Sequence, residues 1–140
     1  ADAPSKLVIE GGTHAMAAPP FEFLQKTLLP VLERMGPQIS ITLERHGFYP
    51  RGGGRIVVDI DPAPLRPIEC VTRGEFKAGK VEALVAGIPF DIAERELKAA
   101  RKVLADWPDE VFAPVQLPAE NGPGNALLME AEFEHVTKVI

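Results

Sequence analysis

The sequence predicts an α+β fold in which helices pack on one face of a mixed sheet. Several short runs alternate apolar and polar residues, as half-buried strands do, and two longer segments place apolar residues at helical spacing. The elements follow the order β-α-β-β twice, with a proline-rich stretch between the two units. Because a helix and a sheet each bury one apolar side, layers of helix on sheet satisfy both kinds of element.

The first unit begins with a predicted short buried strand at residues 7–10. Pro19 and Pro20 then suit the start of a helix. Six residues at helical spacing form the apolar face of this helix: Phe21, Leu24, Leu28, Val31, Leu32 and Met35. Pro30 lies inside the helix and removes one backbone hydrogen bond, so we expect a kink there.

Two strands are predicted next, at residues 38–45 and 55–61, where isoleucine, leucine and valine alternate with polar neighbours. The glycine-rich loop between them, residues 46–54, is too long for a tight hairpin turn, and loops of this kind often carry function. Residues 61–67 contain three prolines and are therefore stiff and extended, which makes them the best candidate for a linker.

This linker predicts one domain at residues 1–72 and a second at residues 73–140. In the second domain, Asp91 is predicted to cap a helix, with Glu94 three residues later completing a capping box. Strands are predicted at residues 68–72, directly after the linker, and at residues 80–87 and 110–116, before and after this helix. A last strand follows the turn at residues 122–125.

Composition restricts the class of partner. The 140 residues carry a net charge of −5, which argues against nucleic-acid binding by general phosphate neutralisation but leaves room for a local basic site. No stretch approaches the ~20 apolar residues that span a bilayer, so we expect no membrane partner. The single cysteine, Cys70, cannot form an internal disulfide, which is compatible with a cytoplasmic location.

Two glycine-containing stretches then point to a family. Residues 10–23 read EGGTHAMAAPPFEF, and residues 43–54 read LERHGFYPRGGG. Both resemble RNA 3'-terminal phosphate cyclases in order and spacing. Two shorter blocks, residues 85–96 and residues 122–125, look like further matches in the order that the family uses.

The resemblance implies that these 140 residues are a central piece of a longer enzyme. Residues 1–72 then correspond to the end of a repeat unit in the cyclase catalytic domain. Residues 73–140 correspond to the first part of an insert domain with a thioredoxin-like arrangement.

The same resemblance implies an ATP-dependent ligase reaction with a divalent metal, Mg or Mn. A histidine accepts AMP from ATP, the AMP passes to an RNA 3'-phosphate, and the neighbouring 2'-OH closes a 2',3'-cyclic phosphate. The family's nucleophile belongs to a block C-terminal to the insert, so we assign no catalytic residue here. His14, His46 and His135 do not match its motif. The alternative is a non-catalytic, cyclase-like factor in ribosomal RNA processing.

Five residues correspond to nucleotide-binding positions of the family: Gly11, Gly12, Thr13, Pro19 and Phe23. Proline and an aromatic ring can hold a base between them, and glycine lets backbone approach a ligand. The other interpretation is a tight turn, a helix-start proline and a core phenylalanine. Both remain open from the sequence.

A local basic cluster surrounds the glycine-rich loop: Arg45, His46, Arg51 and Arg55. It could bind the phosphate of an RNA 3' end. Alternatively the arginines are solvated or pair with Glu44 or Asp59.

No metal ligand is predicted in this chain, because Glu130, Glu132 and Glu134 fit a solvated strand face better than a metal site. Uncovered strand edges and an apolar helix face favour a homodimer.

Overall fold

Three antiparallel strands form the first sheet of the computed structural model, which describes residues 2–140. They are β1 (Ser5–Gly11), β2 (Gln38–Arg45) and β3 (Gly54–Asp61), in the order β1-β3-β2. The register pairs Gly11 with Gly54 at one end of the sheet. The loops that follow β1 and β2 and the first residue of β3 therefore meet at this end.

Four strands form the second sheet: β4 (Phe76–Ala86), β5 (Phe112–Leu117), β6 (Gly124–Phe133) and β7 (Thr137–Val139). Their order is β5-β4-β6-β7, with β4 and β5 parallel and the other pairs antiparallel. The predicted α+β class is confirmed. The division into domains at residue 72 and the thioredoxin-like arrangement stay predictions.

One helical segment covers the first sheet and changes pitch along its length. It consists of α1 (Phe21–Phe23), a π-helical stretch (Leu24–Leu28) and α2 (Leu29–Arg34). Pro30 lies two residues after the π-helical stretch, inside a segment whose backbone is helical from Phe21 to Arg34. The irregularity that Pro30 predicts therefore takes the form of a π-helical stretch before it.

The second sheet is covered by α3 (Asp91–Val103). Ala93, Leu97 and Ala100 on its buried face pack against Val81 and Val85 of β4. The predicted capping box is wrong. Phe90 is the residue before the helix, and the carbonyls of Pro89 and Phe90 accept the first backbone N–H groups, so the turn begins before Asp91 can cap it. Short 3₁₀ turns at Asp109–Val111 and Ala119–Asn121 flank β5.

Two further strand predictions are corrected. Residues 68–72 form no strand; Glu69 O instead accepts a hydrogen bond from Arg34 Nη2 at 3.1 Å, so this segment lies beside the end of α2. The first strand is longer than predicted and is not buried: Leu7, Val8 and Ile9 are 46%, 48% and 51% exposed. Among the residues described here, β1 pairs only with β3, so its apolar side chains lie at a sheet edge.

No helix within residues 2–140 is both long enough and apolar enough to cross a lipid bilayer. Cys70 lies exposed in the segment between the two sheets.

Candidate functional site

The loop after β1 and the loop after β2 form one interlocked unit. The backbone N–H groups of Thr13 and His14 both donate to Gly47 O, at 2.8 and 3.1 Å. In return, the Gly47 N–H donates to Thr13 Oγ1 at 2.9 Å. Residues that are 34 positions apart in the sequence thereby become hydrogen-bonded neighbours. This contact joins the two stretches that carried the family resemblance.

Close backbone contact explains why glycine occupies position 47. A Cβ atom there would lie 2.3 Å from Gly54 N and 2.5 Å from Gly11 O, both of them backbone atoms. Neither atom can rotate away as a side chain could, so three backbone segments approach only if residue 47 has no side chain. Glycine at this position serves packing, whatever else the loop binds.

Phe48 anchors this unit on the second sheet. Its side chain is 2% exposed, and a Cβ atom on Gly124 of β6 would lie 2.3 Å from Phe48 Cβ. The adjacent Tyr49 is 80% exposed. The two aromatic rings therefore have different surroundings: Phe48 packs against β6, and Tyr49 is accessible from solvent.

Beside this contact lies a cluster that we call the imidazole–carboxylate cluster, made of His14, Glu22 and His46. His14 Nε2 lies 2.9 Å from Glu22 Oε2, and the His14 and His46 rings stack at 5.3 Å between centroids. The His14 side chain is 1% exposed and that of Glu22 is 17% exposed. One residue from a loop, one from the first turn of a helix and one from a second loop thus share a half-buried space.

Burial and the neighbouring groups in the cluster favour an ionised Glu22 and a neutral His46. Burial alone would raise the pKa of Glu22, but the hydrogen bond and the charge interaction with His14 outweigh it and lower that pKa. Burial lowers the pKa of His46, and the nearby His14 lowers it further. A neutral imidazole has a free nitrogen lone pair and can act as a ligand or base.

The arginines of the predicted basic cluster point to different partners. Arg55 binds two carboxylates, with Nη1 2.7 Å from Glu10 and Nε 2.6 Å from Glu44, and these hydrogen bonds raise its pKa. Arg45 donates to the carbonyl of Gly53. Arg51 reaches across to the second sheet, where it donates to Glu120 O at 3.1 Å and Gly122 O at 3.0 Å.

These contacts show which groups already bind the arginines, but they do not test the predicted role in phosphate binding. Of the two carboxylates predicted as alternative partners of the arginines, Glu44 pairs with Arg55, whereas Asp59 pairs with Lys6. His46 belongs to the imidazole–carboxylate cluster and stacks near Phe48. A phosphate group at Arg55 would have to compete with Glu10 and Glu44, so the phosphate role of this group stays a prediction.

The predicted nucleotide-binding residues divide into exposed and structural ones. Gly11, Gly12 and Pro19 are exposed, and Phe23 is half-buried in α1. Thr13 is 5% exposed, and its hydroxyl hydrogen-bonds with Gly47 and His14. Exposed backbone at the glycines remains available to a nucleotide, and the role of all five residues stays a prediction.

A possible cation site was missed by the sequence analysis. Among the glutamates predicted to be solvated, Glu130 pairs with Lys26. The residues that do lie close enough together to hold a cation are His14, Glu22 and His46. Their ligand atoms all lie within 4.8 Å of one another. No metal-binding spacing marks them in the sequence, because the three residues lie on separate segments that only folding brings together.

A comparison of the sequence with protein families identifies the family. The model of the family described as RNA 3'-terminal phosphate cyclase matches residues 1–133. The chain belongs to this family. The cyclase family match covers both interlocked loops, the helix between them and nearly all of the second sheet.

Curated cyclases from bacteria are similar along the whole chain. The chain is 46% identical over 139 residues to the RNA 3'-terminal phosphate cyclase of Ectopseudomonas mendocina (strain ymp), covering 99% of this chain and 40% of the relative. It is 46% identical over 142 residues to that of Koribacter versatilis (strain Ellin345), covering 99% and 39%. The cyclase of Ralstonia nicotianae is 40% identical over 141 residues, covering 99% and 40%. The chain therefore spans about two fifths of the length of these cyclases.

All four sequence blocks of the cyclase resemblance lie in contact. The first two meet at Gly47, and the second meets the fourth where Phe48 and Arg51 contact the turn before β6. The third meets the fourth through a hydrogen bond from Asn125 Nδ2 to Glu96 Oε1. Blocks spread over more than a hundred residues form one continuous chain of contacts.

Proposed function

We propose that the protein containing this chain is an ATP-dependent RNA 3'-terminal phosphate cyclase. The observation that carries the proposal is the interlocking of residues 10–23 with residues 43–54 around Gly47, in a chain that matches the cyclase family along nearly its whole length. Because the chain spans about two fifths of its relatives, the reaction is assigned to the whole protein and the chain supplies part of the site.

The proposed reaction is a ligase reaction that consumes ATP and converts an RNA 3'-phosphate into a 2',3'-cyclic phosphate. A histidine outside this chain first attacks the α-phosphate of ATP and releases pyrophosphate, and the AMP that it holds then passes to the 3'-phosphate. Attack by the 2'-OH releases AMP and closes the ring. A bound Mg or Mn would neutralise the charge of the phosphates.

The chain's own residues are proposed to bind and orient the nucleotide and the RNA end. Backbone at Gly11 and Gly12 can approach phosphate without a side chain in the way. Pro19 and Phe23 would hold the adenine, since an apolar ring and an aromatic face stack on a base. Arg45, His46, Arg51 and Arg55 are the proposed partners of the RNA 3'-phosphate.

The intact protein provides the test. It is incubated with ATP, Mg or Mn, and an RNA oligonucleotide that ends in a 3'-phosphate. We expect the phosphate to become resistant to alkaline phosphatase. Replacing Phe23→Leu should raise the KM for ATP about tenfold through lost stacking, whereas Phe90→Leu, an exposed phenylalanine at the start of α3, should leave it unchanged.

A folded intact protein that leaves the 3'-phosphate sensitive to phosphatase would contradict the cyclase assignment and favour the non-catalytic role in ribosomal RNA processing. The 140-residue chain alone, given ATP labelled in the α-phosphate, is expected to remain unlabelled. Acid-labile labelling of the chain would overturn the proposal that the nucleophile lies outside it. A cytoplasmic location is proposed as well, since the exposed, free thiol of Cys70 suits a reducing compartment.

A homodimer of the chain is proposed from the exposed side chains of β1. Leu7, Val8 and Ile9 lie together on a strand that pairs on one side only among the described residues. Exposed, unpaired strand edges promote association. Sedimentation velocity at rising concentration is expected to show a dimer, and a strictly monomeric profile would contradict this.

A further inference from the structure

We propose that His14, Glu22 and His46 bind one divalent transition-metal ion, of the class represented by Zn²⁺. The proposal concerns a different ion from the Mg or Mn that the proposed ATP reaction would use, and in it His46 binds the ion instead of an RNA phosphate. Three observations carry it: the kind and spacing of the donor atoms, the charge of the cluster, and the hydrogen bonds that orient His14.

The donor atoms suit zinc in kind and in spacing. Two imidazole nitrogens and one carboxylate oxygen are typical zinc ligands, and catalytic zinc sites often have three such ligands with a fourth position open. The three donors lie within 4.8 Å of one another, and His14 Nε2 is already 2.9 Å from Glu22 Oε2. Zinc bonds of about 2.1 Å place tetrahedral ligands roughly 3.4 Å apart, so shifts on the order of 1 Å complete the site.

Glu22 supplies the cluster with an anionic ligand. Glu22 is ionised and only 17% exposed at its side chain, and His14 is its one ion-pair partner among residues 2–140. Glu22 therefore brings one negative charge to a half-buried space that it shares with two imidazole rings. A divalent ion bound there would compensate this charge and use both imidazoles as neutral ligands.

Thr13 orients His14 for metal binding. Its Oγ1 accepts the Gly47 N–H at 2.9 Å, lies 3.4 Å from Gly47 O and lies 2.8 Å from His14 Nδ1. In the arrangement that uses all three contacts, the hydroxyl donates to Gly47 O and His14 Nδ1–H donates to the hydroxyl. His14 Nε2 then faces Glu22 Oε2 at 2.9 Å, where a bound ion would take the place of the proton between the two atoms. Metal-binding histidines usually have the other ring N–H fixed in this way.

The ligand type also separates this site from a magnesium site. Mg²⁺ prefers oxygen ligands and keeps several waters, whereas imidazole ligands suit zinc, copper, iron or nickel. His14 follows the glycines at the end of β1, Glu22 lies in α1, and His46 precedes Gly47. A bound ion would therefore tie the helix start to both interlocked loops.

The test uses the purified chain with Cys70→Ser, which removes the exposed thiol as a competing ligand. After treatment with a chelator, Zn²⁺ is titrated by calorimetry and Co²⁺ by visible absorption. We expect one equivalent of Zn²⁺ to bind with a micromolar or tighter Kd, a higher Tm in its presence, and a Co²⁺ spectrum of tetrahedral or five-coordinate type. Absence of a one-to-one Zn²⁺ isotherm, or a Co²⁺ spectrum identical to that of the hexaaqua ion, would overturn the proposal.

Variants locate the ion. His46→Gln and Glu22→Gln should each weaken Zn²⁺ binding at least tenfold. His135→Gln is the matched control, because His135 is an exposed histidine that also lies beside a glutamate, 3.8 Å from Glu134. If His135→Gln weakens binding as much as His46→Gln does, the ion is bound on the surface and the proposal is wrong. Circular dichroism checks that each variant is folded, and the Co²⁺ spectrum of the Cys70→Ser chain decides the question if a variant is not.

Discussion

The Phe48→Ala variant is expected to lose about 3–5 kcal/mol of the free energy of unfolding, the usual cost of removing a fully buried phenylalanine ring. Phe48 is 2% exposed and packs directly against Gly124 of β6, while its backbone pairs with His14 and Gly52. Alanine would leave a cavity between the interlocked loops and the second sheet. The backbone around it is already in close contact and has little freedom to fill the space.

Chemical denaturation of the chain followed by circular dichroism measures this loss. Tyr49→Ala is the matched control, since it removes a neighbouring ring that is 80% exposed, and it should change the free energy by no more than about 0.5 kcal/mol. Equal effects of the two variants would show that Phe48 is not buried against β6.

The Gly47→Ala variant is expected to cost about 3 kcal/mol or more, at the upper end for added atoms in a packed site. The new Cβ would lie 2.3 Å from Gly54 N and 2.5 Å from Gly11 O. Both obstacles are backbone, so relief requires the ends of β1 and β3 to separate. That movement would lengthen the hydrogen bonds from Thr13 and His14 to Gly47 O.

Thermal and chemical unfolding of the chain again provide the measurement, with Gly12→Ala as the control. A Cβ on Gly12 would meet only Ala15 Cβ, at the ordinary contact distance of 3.7 Å, so this variant should stay within about 1 kcal/mol of the wild type. If Gly47→Ala is as stable as Gly12→Ala, the close approach of the two loops is wrong.

Local patterns predicted some elements well. Residues 38–45 and 55–61 alternate apolar and polar side chains, and they form β2 and β3 with nearly the predicted bounds. A two-residue period is a property of one strand with one buried face, so it can be read without knowing the partner. The helix that begins near Asp91 follows from the same kind of local evidence.

Burial and pairing were predicted less well. Leu7, Val8 and Ile9 have the composition of a buried strand, but β1 lies at a sheet edge and they are exposed. Residues 68–72 look extended, but no strand pairs with them. Exposure and pairing depend on which neighbours the topology supplies, and a stretch of sequence does not contain that information.

The candidate site shows the same difference between what local patterns predict and what long-range contacts decide. By itself, the sequence determined the family, the α+β class and the importance of the two glycine-rich stretches, because short-range spacing and residue type suffice for each. Only the tertiary structure decided that Gly47 lies against Gly54 and Gly11, that Arg51 turns towards β6, and that His14, Glu22 and His46 share one half-buried space. The physical reason is distance along the chain: these contacts join segments whose approach is set by the sheet register and by backbone packing.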